Sequence, residues 1–218
     1  MKLWEYVRKY TYSSPERQID NLIAGVKKYR KIQAKDKILD VGGGYKDRAG
    51  ILRDLGKVIV LDVKPGKNVD VVGDAHALPF KDNSFDYVVM FMVLEHLHDP
   101  IKAFSECSRV LKKNGILLLT TVQYWHNHDC PDDYYRFTDG GLRYLCERSH
   151  LKIISIKSMG GPFLVFFHVI ELNLSGMLRK IILLLSPLFN YLDKVFFNHE
   201  DKRILSDSVG WSLMAQKI

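Results

Sequence analysis

Three consecutive glycines follow a short apolar segment early in the chain, and acidic residues flank them. Asp40 precedes Gly42, Gly43 and Gly44, and Asp47 comes shortly after. Glycine tolerates positive φ and lets a ligand approach backbone N–H groups closely, which makes this loop a candidate binding loop. A dinucleotide loop would follow G-x-G-x-x-G, but Asp47 stands where its last glycine belongs. Acids on both sides favour a cationic ligand over a pyrophosphate.

Two further acids follow the next two apolar segments. Asp62 comes about 20 residues after the glycine loop, where an acid hydrogen-bonds the hydroxyls of a bound ribose. Asp74 follows a third segment in Gly73-Asp74-Ala75. Either acid could instead cap a turn. Together with the loop, they predict a nucleoside-binding site.

A second group of chemically active side chains fills residues 124–138, which read Tyr-Trp-His-Asn-His-Asp-Cys-Pro-Asp-Asp-Tyr-Tyr-Arg-Phe-Thr. Histidine titrates near neutrality, so His128 is the candidate general base. Tyr134 and Arg136 are candidates for shaping an acceptor pocket or holding an anionic or sugar acceptor. Tyr134, the adjacent Tyr135 and Arg136 could each alternatively anchor the loop, with Arg136 paired to Asp132 or Asp133.

A metal site is not predicted. His126, His128 and Cys130 alternate within a short loop, and that spacing does not readily supply a closed tetrahedral site. Glu95-His96, which follows the fourth apolar segment, is interpreted as packing near the cleft.

Strands that alternate with helices must position these residues. Apolar runs predict strands at 37–41, 58–61, 69–72, 85–91, 116–122, 151–156 and 210–218, and helices at 99–111 and 138–148. The runs are continuous rather than alternating, which indicates an α/β fold with a mostly parallel sheet covered on both faces. Such sheets bind ligands beyond the carboxyl ends of their strands.

The ordered series of motifs resembles class I S-adenosylmethionine-dependent methyltransferases, and most closely the methyltransferase type 11 group. The motifs read DVGGG from Asp40, then Asp62, GDAHALPF from Gly73, NSFDYVV from Asn83, VLEHL from Val93 and RVLKKNG from Arg109. The resemblance covers about residues 35–156. It implies a Rossmann-like, seven-stranded sheet whose last strand is antiparallel. Lys46 departs from the family pattern, because it stands where a third loop glycine is usual.

The resemblance also implies roles for individual residues around S-adenosylmethionine, whose demethylated product is S-adenosylhomocysteine. Asp40 and the glycines would surround the methionine part, with Phe91 near it. Asp62 would take the ribose hydroxyls, Val63 would pack on the adenine, and Asp74, beside Ala75, would accept from the adenine amino group.

Composition limits the classes of protein. The chain has 218 residues, 47% of them hydrophobic, and a net charge of +7. That length allows one full core with residues to spare. The longest unbroken apolar run, Tyr87–Leu94, has eight residues, whereas a membrane span needs about 20. The N-terminus lacks the apolar core of a signal peptide. Three cysteines without CxxC spacing favour a reducing, cytoplasmic location.

Three regions follow from charge and apolar content: a basic N-terminal helical arm at 1–35, a methyltransferase core at 36–157 and 207–218, and a helical apolar insertion at 158–206. The arm holds nine Lys or Arg against three acids. The insertion reads as two apolar helices, 163–174 and 177–192. It could form a lid, a homodimer interface, an extension of the core or, together with the arm, a peripheral membrane contact.

The methyl acceptor is the least determined feature of the sequence. The stretch His128…Pro131-x-Asp133-Tyr-Tyr-Arg-Phe-Thr resembles family members associated with glycan or lipid-linked sugar biosynthesis. This favours a small-molecule or glycan/lipid-linked acceptor. The alternatives are an RNA or tRNA methyltransferase that grips nucleic acid through the basic arm, and a non-catalytic S-adenosylmethionine-binding module. The end of the fourth strand lacks an N-P-P-Y-like stretch, which argues against methylation of a base amino group.

Overall fold

A computed structural model describes residues 15–30, 33–45, 52, 56–128, 131–196 and 207–218. Lys46, Cys130 and most of the N-terminal segment lie outside these ranges. The strands are β1 Lys37–Val41, β2 Lys57–Asp62, β3 Val71–Val72, β4 Phe85–Phe91, β5 Leu111–Val122, β6 Leu151–Ser158 and β7 Gly210–Lys217. The α-helices are α1 Pro15–Tyr29, α2 Pro100–Val110, α3 Asp139–Arg148, α4 Pro162–Leu172, α5 Gly176–Leu184 and α6 Ser186–Phe196.

The seven strands form one sheet in the order β3-β2-β1-β4-β5-β7-β6. Neighbours from β3 to β5 run parallel, whereas β7 lies antiparallel to both β5 and β6. The predicted fold is therefore confirmed, including the antiparallel last strand. Successive strands are added toward one edge of the sheet up to β3, and the strands from β4 onward lie on the other side of β1. Sheets of this type bind ligands in the crevice beyond the carboxyl ends of the two strands at this switch point, β1 and β4.

Two apolar clusters cover the two faces of the sheet. Every residue of β4 is buried, which explains why its apolar run does not alternate. One cluster holds Phe104 of α2 and Trp211 of β7. The other is closed by α1, whose apolar stripe packs onto Tyr87 and its neighbours. The stripe consists of Ile19, Leu22, Ile23 and Val26. The helical part of the predicted arm thus contributes side chains to the core.

Local sequence signals set several boundaries. The Thr138 hydroxyl accepts from the Gly141 N–H at 3.1 Å, which confirms Thr138 as the cap of α3. β5 begins at Leu111, five residues before the predicted start. Asn114-Gly115, a pair of residues that is typical of turns, lies inside this strand. Asn114 has φ +63°, and the pairing with β4 is irregular here. A residue type that tolerates positive φ therefore marks a bulge here rather than a chain reversal.

Within its described residues, the insertion before β7 forms three helices, so the prediction of two was wrong. Asp193 of α6 explains how the first of them is fixed. Its buried carboxylate accepts from the backbone N–H groups of Gly161, Phe163 and Leu164, at 2.9–3.1 Å. These donors have no partner within α4, and a carboxylate opposite a helix N-terminus is electrostatically favourable. A residue distant in sequence therefore caps α4.

The insertion presents a large apolar surface. Leu164 and Phe167 face inward and form a small cluster with Val209. The outward side chains are between 44% and 77% exposed: Phe166, Val169, Met177, Leu178, Ile181, Leu184, Leu185, Leu188, Tyr191, Val195 and Phe196. No helix within the described ranges is both long enough and apolar enough to cross a bilayer.

Candidate active site

The glycine loop starts where β1 ends and is shaped by what its residues touch. Gly42 has φ +73°, in the left-handed region, and its N–H donates to the Leu61 carbonyl at 2.7 Å. A Cβ on Gly42 would lie 2.5 Å from a methyl of Val93, and one on Gly43 would collide with the buried Asp40 carboxylate. The loop therefore packs directly on an acid and on the residues after β4, and only glycine fits there.

Asp62 ends β2 and lies at the edge of this loop. Its two carboxylate oxygens accept from the N–H groups of Gly44, at 3.1 Å, and Lys64, at 3.0 Å. A carboxylate oxygen has lone pairs for more than one donor, so these bonds hold Asp62 without using its full accepting capacity. Val63 is 66% exposed, as a residue that packs against a ligand ring would be.

Asp74 follows β3 and is oriented by a histidine that the sequence reasoning did not single out. One oxygen of Asp74 accepts from the backbone N–H of His76, at 2.8 Å, and from its Nδ1, at 2.6 Å. The Asp99 N–H donates to Nε2 of the same ring, so Nδ1 carries the proton. The hydrogen bond from the His76 N–H lowers the pKa of Asp74. Ala75 between them is buried.

Phe91, which is predicted to lie near the methionine part, is the last residue of β4. Its side chain is buried in the apolar cluster with Val89 and Leu118, beneath the sheet end. The residue that meets the loop is Val93, whose methyl groups approach Gly42. Met92 between them has φ +55°, so the backbone turns sharply at the end of β4. The sequence did not reveal this turn, because methionine is not typical of positive φ.

Glu95 connects the loop side of the site to the segment after β5. It lies in a short 3₁₀ turn, Leu94–His96, and is fully buried. Its carboxylate accepts from the Thr121 hydroxyl at 2.8 Å, and its carbonyl accepts from the N–H groups of Tyr134 and Tyr135. Burial raises the pKa of the Glu95 carboxyl. Glu95, which the sequence indicates as a packing residue, therefore joins the ends of β4 and β5 to residues 124–138. These residues are predicted to hold the methyl acceptor and form the acceptor segment.

The acceptor segment is closed by Arg136, whose five N–H donors all have acceptors. The guanidinium forms a two-pronged ion pair with Asp133, at 2.6 and 2.8 Å, and donates to the carbonyls of Trp125, His126 and Tyr135. This hydrogen-bonded pairing holds the pKa of Asp133 well below its usual range. Arg136 could hold the acceptor or anchor the loop, and this geometry favours the loop anchor.

His128 and Tyr134 present their side chains on the same side of this segment. The His128 ring lies 4.8 Å from that of His96 and is 19% exposed, and its backbone N–H donates to Asp133. Tyr134 is 50% exposed, and its hydroxyl donates to Asp132. Tyr134 is therefore the most exposed of the three candidates, while the His128 side chain is no more exposed than that of Arg136.

The insertion touches the acceptor segment directly. Trp125 stacks on His168 of α4, with ring centroids 4.1 Å apart and planes inclined by 18°. His126 also approaches His168, at 5.8 Å, and burial lowers the pKa of His126. The apolar helices therefore border the side of the site where an acceptor would enter.

Residues 39–119 match the sequence profile of a family described as "Methyltransferase domain". This segment runs from β1 through most of β5 and contains all the predicted cofactor residues. The resemblance to class I methyltransferases that the motifs indicated is confirmed by this match.

Among curated proteins, the chain is 38% identical over 99 residues to a demethylmenaquinone methyltransferase of Renibacterium salmoninarum. The match covers 40% of this chain and 42% of that protein. The chain thus spans about two fifths of the length of such relatives.

Solved structures extend the likeness to nearly the whole chain. A phosphoethanolamine N-methyltransferase 2 of Haemonchus contortus, solved with phosphomonomethylethanolamine and S-adenosylhomocysteine, has a TM-score of 0.58 at 18% identity. The comparison covers 96% of this chain and 58% of that one. The [4+2]-cyclase SpnF has a TM-score of 0.57 at 19% identity, covering 91% and 80%. At such identities the likeness concerns the fold alone.

Proposed function

We propose that this chain, which carries a methyltransferase domain at 39–119 on the fold of class I methyltransferases, is an S-adenosylmethionine-dependent methyltransferase acting on a small-molecule acceptor. The observation that carries the proposal is the joined pair of glycine loop and ribose acid. The Gly44 N–H donates to Asp62, and the loop glycines lie against Asp40 and Val93, so the loop and two acids form one cradle.

The cradle fits the proposed cofactor in shape and in charge. A Cβ on Gly42, Gly43 or Gly44 would meet neighbouring side chains at 2.6 Å or less, so only glycine lets this loop pack so closely against them. When bound, S-adenosylmethionine supplies a methyl group on a sulfonium centre. A lone pair of the acceptor forms a bond to the methyl carbon as the carbon–sulfur bond breaks, and S-adenosylhomocysteine is the leaving group. Acids suit a cationic sulfonium ligand that also carries an ammonium group.

Each cradle residue has a distinct task in this proposal. Asp40 balances the ammonium group, and Asp62 accepts from the ribose hydroxyls while Gly44 and Lys64 hold it in place. Val63 covers one face of the adenine. Asp74 accepts from the adenine amino group, in an orientation that His76 fixes.

The acceptor binds between the end of β4 and residues 125–137. Arg136 shapes this region by holding the loop closed onto Asp133. His128 and Tyr134 face the acceptor. His128 is the general base that accepts the proton lost by the acceptor. Positioning of the nucleophile supplies much of the rate, because a base is needed only if the acceptor must lose a proton early.

An apolar, lipid-linked small molecule is the acceptor class that the surroundings favour. A relative is named for demethylmenaquinone, and the apolar insertion reaches the acceptor segment through the Trp125–His168 stack. A glycan portion is consistent with the tyrosines of the segment. RNA is less favoured, because exposed apolar side chains of the described insertion helices border this side.

Methyl transfer to extracts tests the activity and the acceptor class together. The full chain with radiolabelled S-adenosylmethionine should label a lipid extract more than a delipidated glycan fraction or total RNA. Label confined to RNA would overturn the acceptor class. Calorimetry with S-adenosylmethionine and S-adenosylhomocysteine should show binding of both. Binding without transfer to any fraction would leave a binding module, and no binding would overturn the proposal.

Peripheral membrane contact through the insertion follows as a second proposal, together with the predicted cytoplasmic location. The outward side chains of α5 are apolar, among them Leu178 and Ile181 at 61% and 51% exposure. We expect co-sedimentation with anionic liposomes at low salt, and at least a tenfold weaker association for the double variant L178E/I181E, since burying such a side chain contributes about 1.5–3 kcal/mol.

The matched control for this surface is Ile101→Glu, which changes an exposed isoleucine of α2 and should leave liposome binding unchanged. Absence of binding at low salt would exclude the membrane contact. If wild type is instead a dimer by light scattering and L178E/I181E is a monomer, the insertion is a homodimer interface.

A further inference from the structure

Three side chains with metal-ligating atoms converge beside the acceptor segment, although their positions in the sequence do not suggest it. Glu95 and His96 come from the turn after β4, and His128 from the segment after β5. One ligand atom of each lies within 4.8 Å of the other two. Ligand atoms about 2.0–2.1 Å from a tetrahedral ion are about 3.3 Å apart, so the set closes on an ion if its atoms approach one another by up to about 1.5 Å.

Both imidazole rings are held by backbone carbonyls through Nδ1. His96 Nδ1 lies 2.6 Å from the Asp132 carbonyl, and His128 Nδ1 lies 3.2 Å from the His126 carbonyl. A carbonyl only accepts, so Nδ1 must carry the proton in each ring, and each Nε2 then keeps a lone pair. Metal-ligating histidines are oriented in this way by their outer partners.

Glu95 has the features of an anionic ligand rather than of a packed side chain. Its carboxylate is fully buried, and the Thr121 hydroxyl holds one oxygen. In the described part of the chain the other oxygen accepts no hydrogen bond, and no lysine or arginine pairs with the carboxylate. A negative charge at this position would have no cation beside it within the described residues, which is costly. An ion bound between this oxygen and two imidazoles would neutralise it.

We infer that Glu95, His96 and His128 bind a divalent transition-metal ion, with coordination positions left open toward the acceptor. Two imidazoles and one carboxylate suit Zn²⁺, Fe²⁺, Co²⁺ or Mn²⁺, whereas Mg²⁺ prefers oxygen ligands. Three protein ligands leave at least one position for a water or substrate oxygen. The expectation that the chain has no metal site considered the loop His126, His128 and Cys130 and missed the partners supplied by the turn after β4.

The ion deepens the proposed function, and this consequence rests on it. An oxygen of the acceptor at an open position would lose its proton to water more readily, because a metal ion lowers the pKa of a bound hydroxyl. His128 would then contribute by holding the ion, and the proton would pass to water rather than to the ring. Ion binding itself depends on the three ligands alone, so it is measurable whether or not methyl transfer occurs.

Titration of the full chain with Co²⁺, and then with Zn²⁺ in competition, tests the site. We expect one equivalent to bind, with visible d–d absorption that Zn²⁺ displaces. Glu95→Gln, His96→Gln and His128→Gln should each weaken binding at least about 100-fold, more than is typical for loss of an outer partner. Circular dichroism and thermal unfolding identify any variant that fails to fold, and His96 and His128 are partly exposed, so their variants keep the test decisive.

The matched control is His126→Gln, the same change on a neighbouring ring, which should bind Co²⁺ like wild type. Three results would overturn the inference: no Co²⁺ binding below about 100 μM, unchanged binding by the folded His96 and His128 variants, or loss of binding only in His126→Gln. If Co²⁺ binds as expected while S-adenosylmethionine does not, the metal site stands and the proposed activity fails.

Discussion

Replacing Asp62 by alanine is expected to remove most of the affinity for S-adenosylmethionine, raising its Kd at least about 100-fold. Two charge-assisted hydrogen bonds to ribose hydroxyls are lost, at about 1.5–3 kcal/mol each, and tenfold in Kd corresponds to about 1.4 kcal/mol. The loop also loses the acceptor for the Gly44 N–H. Calorimetry with S-adenosylmethionine and S-adenosylhomocysteine measures the change, which should be similar for both because they share the ribose.

Two variants separate a ribose contact from a general loss of structure. Asp20→Ala removes an exposed carboxylate of α1 and should leave Kd unchanged. Asp62→Asn keeps an acceptor for the Gly44 N–H but loses the charge, so thermal unfolding without ligand should match wild type while binding weakens. Wild-type Kd in Asp62→Ala would contradict the ribose assignment. Equal losses of stability and affinity in Asp62→Asn would make Asp62 a loop anchor only.

The sheet could be predicted because its determinants are local. Continuous apolar runs gave the strands, and β4 matched its predicted bounds at both ends because all seven of its residues are buried. Thr138 and Asp99 cap helices through their own hydroxyl or carboxylate, so the caps too are visible in the sequence. Asn114-Gly115 is compatible with either a chain reversal or a bulge within a strand. The pairing of β5 with β4 makes it a bulge.

The contacts within the candidate site could not be predicted in the same way, because distant segments make them. Asp193 caps a helix that begins about 30 residues earlier. The pairing of Arg136 with Asp133 rather than Asp132 depends on three carbonyls that the folded loop turns inward. Nothing around Glu95 in the sequence shows that Thr121 and the tyrosine N–H groups will enclose it.

These contacts change how the acceptor side of the site is understood. The sequence suggests that histidine, tyrosine and arginine all face the acceptor, whereas the geometry divides them. Arg136 and Asp133 hold the loop, Glu95 ties it to the sheet, and we propose that His128 and Tyr134 face the acceptor. Mutations of the first group should therefore disturb folding of the segment, and mutations of the second should act on turnover.

Replacing His128 by alanine gives the sharpest test of that division. We expect turnover to fall about 10²–10⁴-fold, the usual contribution of a positioned group that handles a proton. The loss is expected whether the ring accepts the proton itself or holds an ion that makes the acceptor's proton easier to lose. The Kd for S-adenosylmethionine should stay unchanged, because the cradle lies at the ends of β1, β2 and β3. Single-turnover methyl transfer and calorimetry measure the two quantities.

The segment should keep its structure in this variant, because His128 is fixed to it by backbone atoms. Its N–H donates to Asp133, and alanine retains that bond. His150→Asn, which replaces an exposed histidine with φ +55° by a residue that tolerates this conformation, is the control and should turn over like wild type. Equal losses of turnover and cofactor affinity in His128→Ala would make the ring structural. Wild-type turnover would exclude any part for it in proton transfer. A fall in turnover alone would separate the acceptor side of the site from the cofactor cradle, because only the cradle's contacts would then account for the affinity.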